Sequence, residues 1–234
     1  MFFFDWTYII ILPALIFSIW ACVRVNTTFN KNSKIFSRKG YTAAMACRAV
    51  LDNKGLYFVA IERIPGKLTD HYDPRTNVIR LSDSVYNSTS AAAIGVACHE
   101  AGHAIQYAEN YFPVKLRQAI IPITNIGSNL GIWICILGIF LTIISQTFVV
   151  VAYIGIALFS FTALFQLVTL PTEYNASSRA IASIQRTGIL DEDELKAAKA
   201  VLSAAALTYV AALAGSLSQL LRLLLIFGRF NRNN

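Results

Sequence analysis

The sequence predicts an α+β membrane protein, with about four transmembrane helices and a small helix/strand subdomain that carries the pattern H-E-x-x-H. Three observations predict it. Hydrophobic residues make up 56% of the 234 residues and charged ones only 14%, whereas ordinary soluble domains are about a quarter charged. Three long runs, 6–23, 118–172 and 200–221, contain no charge at all. Between the first and the second, the pattern changes to short soluble-type elements separated by turn residues. Such a balance excludes a disordered chain and one that wraps nucleic acid. Cys22, Cys47, Cys98 and Cys135 show no C-x-x-C spacing, so neither a disulfide framework nor an all-cysteine zinc site is expected. A soluble part facing a reducing cytoplasm fits that usage.

Residues 1–23 read as an N-terminal membrane anchor. Trp6 to Val23 is uncharged over 18 residues and follows Phe2, Phe3 and Phe4. A secretory signal would need a basic start and a small-residue cleavage site, but Asp5 stands at the start and no such site follows. Residues 24–118 read as a cytoplasmic subdomain, because Arg24, Lys31, Lys34, Arg38 and Lys39 occur there with no acidic residue among them. The excess of 20 Lys+Arg over 13 Asp+Glu is thus a topology signal. Within this part Tyr41 to Leu51 is predicted as a helix, Leu56 to Ile64 as a strand, Pro65-Gly66-Lys67 as a turn and Val78 to Leu81 as a second strand. Ser88-Thr89-Ser90 offers N-cap hydroxyls for a helix from Ala91 to about Glu109 that is apolar on most faces.

Residues 119–170 read as a two-span hairpin. The 55 uncharged residues between Arg117 and Glu173 are too many for one crossing, and Ser145-Gln146-Thr147 divides them into 129–144 and 148–170. Both ends of the hairpin therefore face one compartment. Residues 171–199 read as a cytoplasmic helical segment, with a helix opening at Glu173 and stopping near Gly188, and with Asp191 to Glu194 as a capping box for the next helix. Residues 200–234 read as a C-terminal membrane helix and tail, in which Ala211 and Gly215 have the spacing that suits close helix contact. A buried or interfacial helix is the other reading, because Arg222, Arg229 and Arg232 follow on the side that positive charge avoids.

The chemistry lies on the helix from Ala91, in His99-Glu100-Ala101-Gly102-His103. At i and i+4 both imidazoles project from one face within reach of one zinc ion, and Glu100 leans over the same face to take a proton from an attacking water. Without a metal, two imidazoles and a carboxylate would share an apolar setting, which is costly. Catalytic zinc takes three protein ligands and keeps one open position. The hairpin returns the chain to the histidine side at Pro171-Thr172-Glu173-Tyr174-Asn175-Ala176, where Glu173 is the first charge after the long run. Glu173 is thus the candidate third ligand of a His₂Glu set, and an interfacial carboxylate favoured by a helix N-terminus is its other reading.

These residues also carry a resemblance. Asp70-His71-Tyr72-Asp73-Pro74-Arg75, then Ala97-Cys98-His99-Glu100-Ala101-Gly102-His103-Ala104, then Leu170-Pro171-Thr172-Glu173-Tyr174-Asn175-Ala176-Ser177 resemble, in order and spacing, the blocks of the YugP-like neutral zinc metallopeptidases of bacterial membranes. The resemblance covers nearly the whole chain. The arrangement is also similar to the HtpX-type heat-shock membrane peptidases, in which a two-span hairpin separates H-E-x-x-H from the glutamate ligand. Those relatives carry an Asp shortly after that glutamate, whereas this chain has Asn175 and Ser177, which keep the hydrogen bonding without the charge. The resemblance implies a zincin-like subdomain, a gluzincin-type peptidase, Zn2+ as cofactor and a multi-pass protein of the bacterial plasma membrane, while the basic loop after the first span puts the active site on the cytoplasmic side. In that scheme His99, His103 and Glu173 hold the metal, and Glu100 passes the proton of the attacking water to the leaving amine.

Other residues are candidates for helping roles. Tyr209, in an otherwise apolar stretch, has a hydroxyl that needs a partner, and Arg179, two turns after Glu173, can hold a carboxylate or steady a ligand. His71, in an acidic neighbourhood, reads as a solvated turn residue, with substrate contact as its other reading. If Val78 to Leu81 is an exposed sheet edge, an extended peptide could pair with it. Cys98 reads as small core filler, and Gly95 and Gly102 as points of close helix approach.

The leading functional expectation is a membrane-anchored zinc endopeptidase acting at the cytoplasmic face on misfolded or membrane-proximal polypeptides. Its partners would be the polypeptide substrate and the lipid bilayer, with no nucleic acid. Two alternatives stay open: a non-catalytic membrane scaffold with a structural zinc, and a zinc hydrolase of a lipid-linked or small amide substrate.

Overall fold

Helix follows helix along most of the chain, in a computed structural model that describes residues 6–232. Phe2, Phe3, Phe4 and Asp5 lie outside the described residues. The helices are α1 (Leu12–Asn32), α2 (Ala43–Asn53), α3 (Ala91–Ala108), α4 (Phe112–Leu141), α5 (Val149–Thr187) and α6 (Glu192–Arg232), with short strands β1 (Ala60–Ile64), β2 (His71–Asp73) and β3 (Val78–Ser82) between α2 and α3. Two compact units divide them, one of Met1–Trp20, Leu116–Leu170 and Thr208–Asn234, the other of Ala21–Lys115 and Pro171–Leu207.

The first unit is apolar and helical. Four helical stretches, Trp6–Asn32, Phe112–Leu141, Gln146–Thr187 and Glu192–Arg229, are long and apolar enough to cross a membrane. Trp133, Leu137, Phe140, Ile143 and Ile144 are exposed on the hairpin, an apolar surface of the kind that hydrocarbon covers. Within the hairpin, α4 and α5 meet backbone to backbone at glycines. A Cβ on Gly131 would lie 2.9 Å from the Phe159 nitrogen, and one on Gly127, Gly138 or Gly155 would run into Leu158, Ala152 or Cys135. Close contact through small residues is the way helices associate in lipid. Of the Ala211/Gly215 pair, Ala211 is buried, while a Cβ on Gly215 would meet nothing within 4 Å among the described residues. Arg222 has local partners in this unit: its Nε donates to Thr7 Oγ1 at 3.1 Å, and its guanidinium lies 3.9 Å from the Tyr8 ring centre.

In the second unit the strand order is β1-β3-β2, with β1 parallel and β2 antiparallel to β3. Three expectations need correction here. The strand predicted from Leu56 begins only at Ala60, because Arg48 holds the Leu56 and Val59 carbonyls with its guanidinium and keeps that stretch in turns. His71 sits on a strand rather than in a turn, since three residues suffice once β3 offers pairing partners for them. Val78 to Leu81 is the central strand, not an exposed edge: both of its sides are paired, and β1 and β2 hold the edges. Asp70 ties the loop before β2 to β3, with its carboxylate accepting from the Ser82 N–H at 2.8 Å and the Ser82 hydroxyl at 3.0 Å.

The main core cluster of this unit includes Leu51, Ile79, Leu81, Ile94, Ile105, Ile184 and Ala198. It lies among α2, α3, the sheet, the end of α5 and the start of α6. Hydroxyl caps start two of the helices, as Thr42 accepts from the Met45 N–H and Ser90 from the Ala93 N–H. The capping box at α6 forms as expected, with Glu194 reaching back to the Asp191 N–H at 3.0 Å and also accepting from the Arg38 N–H. The remaining correction concerns α5. It runs unbroken from Val149 through Pro171 to Thr187, so Glu173 does not open a helix but stands inside one.

Candidate metal centre

Helix α3 is buried along most of its length because Ala, Val, Ile and Cys occupy nearly every face, and His99 and His103 are among its partly open positions, as are Val96 and Tyr107. They lie one turn apart, with ring centres 4.7 Å apart and planes at 85°. Gly102 decides what meets them. A Cβ there would fall 2.5 Å from the Ala176 carbonyl oxygen, so only glycine lets the α5 backbone come this close to α3. Glu173 lies one turn before Ala176 and is thereby brought onto the histidines. Its Oε2 is 3.2 Å from His99 Nε2 and 3.5 Å from His103 Nε2.

The outer ring nitrogens are held too. His99 Nδ1 is 3.1 Å from Ser177 Oγ, and His103 Nδ1 is 3.0 Å from Gln106 Oε1. Gln106 Nε2 donates to the Thr172 carbonyl at 2.8 Å and to Asn175 Oδ1 at 3.0 Å, and Arg179 Nε donates to the same Asn175 oxygen at 2.6 Å. The Arg179 guanidinium also pairs with Glu109, whose carboxyl it holds below the usual range. Burial disfavours a charged His103, but the Glu173 carboxylate beside it and Glu100 nearby outweigh that effect and hold its pKa above the ordinary value. Burial pushes the Cys98 thiol up to about 12, which suits a core residue and not a thiolate ligand.

The donor set fits zinc. Two imidazole nitrogens and one carboxylate oxygen lie within 4.8 Å of one another, and nitrogen-rich sets suit zinc where magnesium and calcium take oxygen. The Glu173 side chain is only 4% exposed, and a carboxylate so buried calls for positive charge beside it. Glu100 is also buried, next to His99 on α3.

Of the other residues singled out in the sequence, Asn175 joins the site through Gln106. Arg179 reaches Asn175 and Glu109. His71 is exposed on β2, its Nδ1 2.9 Å from the Thr69 carbonyl oxygen. Tyr209 lies on α6 in the first unit, half-buried. The sequence reading missed Gln106. The available signal was a polar residue three positions after His103, on the same face of an otherwise apolar helix.

Comparison with known proteins adds two findings. A family described as "Putative neutral zinc metallopeptidase" matches residues 7–228. The Bacillus subtilis (strain 168) protein named "Putative membrane protease YugP" is 44% identical over 216 residues, which cover 92% of this chain and 94% of that one. No solved structure matches the chain.

Proposed function

The chain belongs to the neutral zinc metallopeptidase family, whose metal is zinc, and on that premise we propose that it is a membrane-anchored, gluzincin-type endopeptidase whose catalytic residues lie on a zincin-like helix/strand subdomain. The observation that carries this reading is the convergence of His99, His103 and Glu173 from segments 74 residues apart, across an apolar hairpin. A bound zinc would supply Lewis-acid chemistry, stabilising charge at a scissile carbonyl and making a water acidic enough to attack near neutral pH. His99 and His103 would hold the metal through Nε2, and Glu173 through Oε2. Glu100 takes the proton of the attacking water and delivers it to the leaving amine. The basic stretch from the last turn of α1 onward, with Lys31, Lys34, Arg38 and Lys39, favours a cytoplasmic position for the subdomain. Misfolded or membrane-proximal polypeptides are the substrates such a position would offer.

The test is Glu100→Gln on detergent-purified protein. One zinc per chain should remain while cleavage of an unfolded polypeptide falls by about 10²- to 10⁴-fold, the usual worth of a general base. Equal cleavage by both proteins would refute the role of Glu100. A zinc-loaded wild type that cleaves no polypeptide but hydrolyses lipid-linked amides would replace the peptidase reading with an amidase one.

A further inference from the structure

The hydrogen bonds of Gln106 carry an inference about His103 that rests on the zinc reading above. A neutral imidazole has one N–H and one lone pair, so the partner of one ring nitrogen decides whether the other can bind a metal. Gln106 is fully buried, at 0% exposure. Its Nε2 faces the Thr172 carbonyl at 2.8 Å, and a carbonyl can only accept, so the orientation of this amide is set. Oε1 then faces His103 Nδ1 at 3.0 Å. An amide oxygen also only accepts, so Nδ1 must carry the proton. Nε2 is left with its lone pair, on the side where Glu173 Oε2 lies.

The next residues along hold this arrangement in place. Asn175 Oδ1 accepts from Gln106 Nε2 and from Arg179 Nε, which sets the Asn175 amide in turn. Only an oxygen acceptor is needed at that position, so Asn serves without the charge of an Asp. The guanidinium charge of Arg179 is met by Glu109. His99 differs, because its Nδ1 meets the Ser177 hydroxyl, which can donate or accept.

We propose that Gln106 is a positioning residue: backed by Thr172, Asn175 and Arg179, it locks His103 as the Nδ1–H tautomer so that Nε2 faces the zinc, while no acceptor-only group fixes Nδ1 of His99. Three histidines make this readable by ¹⁵N-histidine NMR, with His71→Gln and His99→Gln assigning the signals. Wild type is recorded metal-free, at a pH where the imidazoles are neutral, and again with zinc. His103 should show a protonated Nδ1 in both states and zinc on Nε2. Gln106→Met keeps the length but has no amide. It should mix the His103 tautomers and weaken the zinc Kd, measured by chelator competition, by about 10- to 100-fold. Protonated Nε2 in metal-free wild type, zinc on Nδ1 of His103, or a folded Gln106→Met with unchanged zinc Kd would each overturn the proposal. Should Gln106→Met fail to fold, the wild-type spectra still decide. A wild type that binds no zinc would sink the peptidase reading, and the metal-free tautomer would still be read on its own.

Discussion

Gly102→Ala tests how Glu173 reaches the histidines. The new Cβ would lie 2.5 Å from the Ala176 carbonyl oxygen, 3.1 Å from its carbon and 3.2 Å from Cα, all backbone atoms that cannot rotate away. A carbon and an oxygen in contact need about 3.3 Å, so α5 must retreat from α3 by roughly 0.8 Å. Glu173, one turn earlier on the same helix, retreats with it. Zinc sites keep their ligand distances to about 0.2 Å, so the shift is several times the tolerance. Overpacking costs about 1–3 kcal/mol, and replacing a helical glycine by alanine returns up to about 1 kcal/mol, which leaves a folded but modestly weaker protein. We expect zinc affinity to fall by about 10-fold or more, measured by chelator competition, beside a small drop in the metal-free melting temperature. Gly95→Ala is the control, because its Cβ would meet Ala198 at 3.1 Å, two turns before the second histidine, and should cost some stability without touching zinc. Wild-type zinc affinity in a folded Gly102→Ala would refute this account of the site.

His103→Ala and Glu173→Ala should each lose zinc or bind it far more weakly, while His71→Ala keeps one zinc per chain by metal analysis; undiminished zinc in Glu173→Ala would remove it from the ligand set. Because neighbouring carboxylates hold the metal-free His103 above its ordinary value, a proton competes for the site at higher pH than a free imidazole of pKa about 6.5 would allow. Zinc affinity should therefore weaken as pH falls through that raised value, and a Kd flat across the histidine range would contradict it. The metal-free protein runs the other way: the His103 contribution to its stability is full below about pH 6.5 and is lost as pH rises through the raised value, as thermal melts across that range would register. For topology, in a background with the exposed Cys22 replaced, Gln146→Cys should react from outside the cell with an impermeant maleimide and Lys34→Cys should not; the reverse pattern would turn the proposed orientation over.

The hairpin was legible because a charge in hydrocarbon is expensive, so 55 uncharged residues leave few other arrangements. The start of α3 was legible from Ser90, whose hydroxyl satisfies an N–H that the helix cannot. The expectation that Glu173 returns to the histidines came from reading the apolar run as a hairpin, and the structure brings the three side chains together. What could not be read was tertiary pairing. Strand β2 exists because Tyr72 pairs with Ile79, and no alternation of three residues announces that. Leu81 reads as a half-buried strand residue until β1 and β2 are known to flank it. Gln106 was hidden for the same reason, as its partners Thr172 and Asn175 come from another helix.

The misplaced start of the Glu173 helix is instructive about how the site is built. The first charge after an apolar run looks like a helix start, because charge marks the edge of hydrocarbon. That signal concerns where a membrane ends, and a backbone has no reason to break its own hydrogen bonds there. The difference matters for chemistry. A ligand at a helix start would sit on its least constrained turn, whereas Glu173 stands deep inside 39 residues of continuous helix. At Ala176 that helix is pressed against Gly102, between the two histidines. One close backbone contact therefore sets the depth of the carboxylate relative to both imidazoles, and a site on two packed helices holds its ligands more closely than a site on a loop. If His99, His103 and Glu173 hold the metal as proposed, Gly102 bears on its affinity through the backbone without touching it.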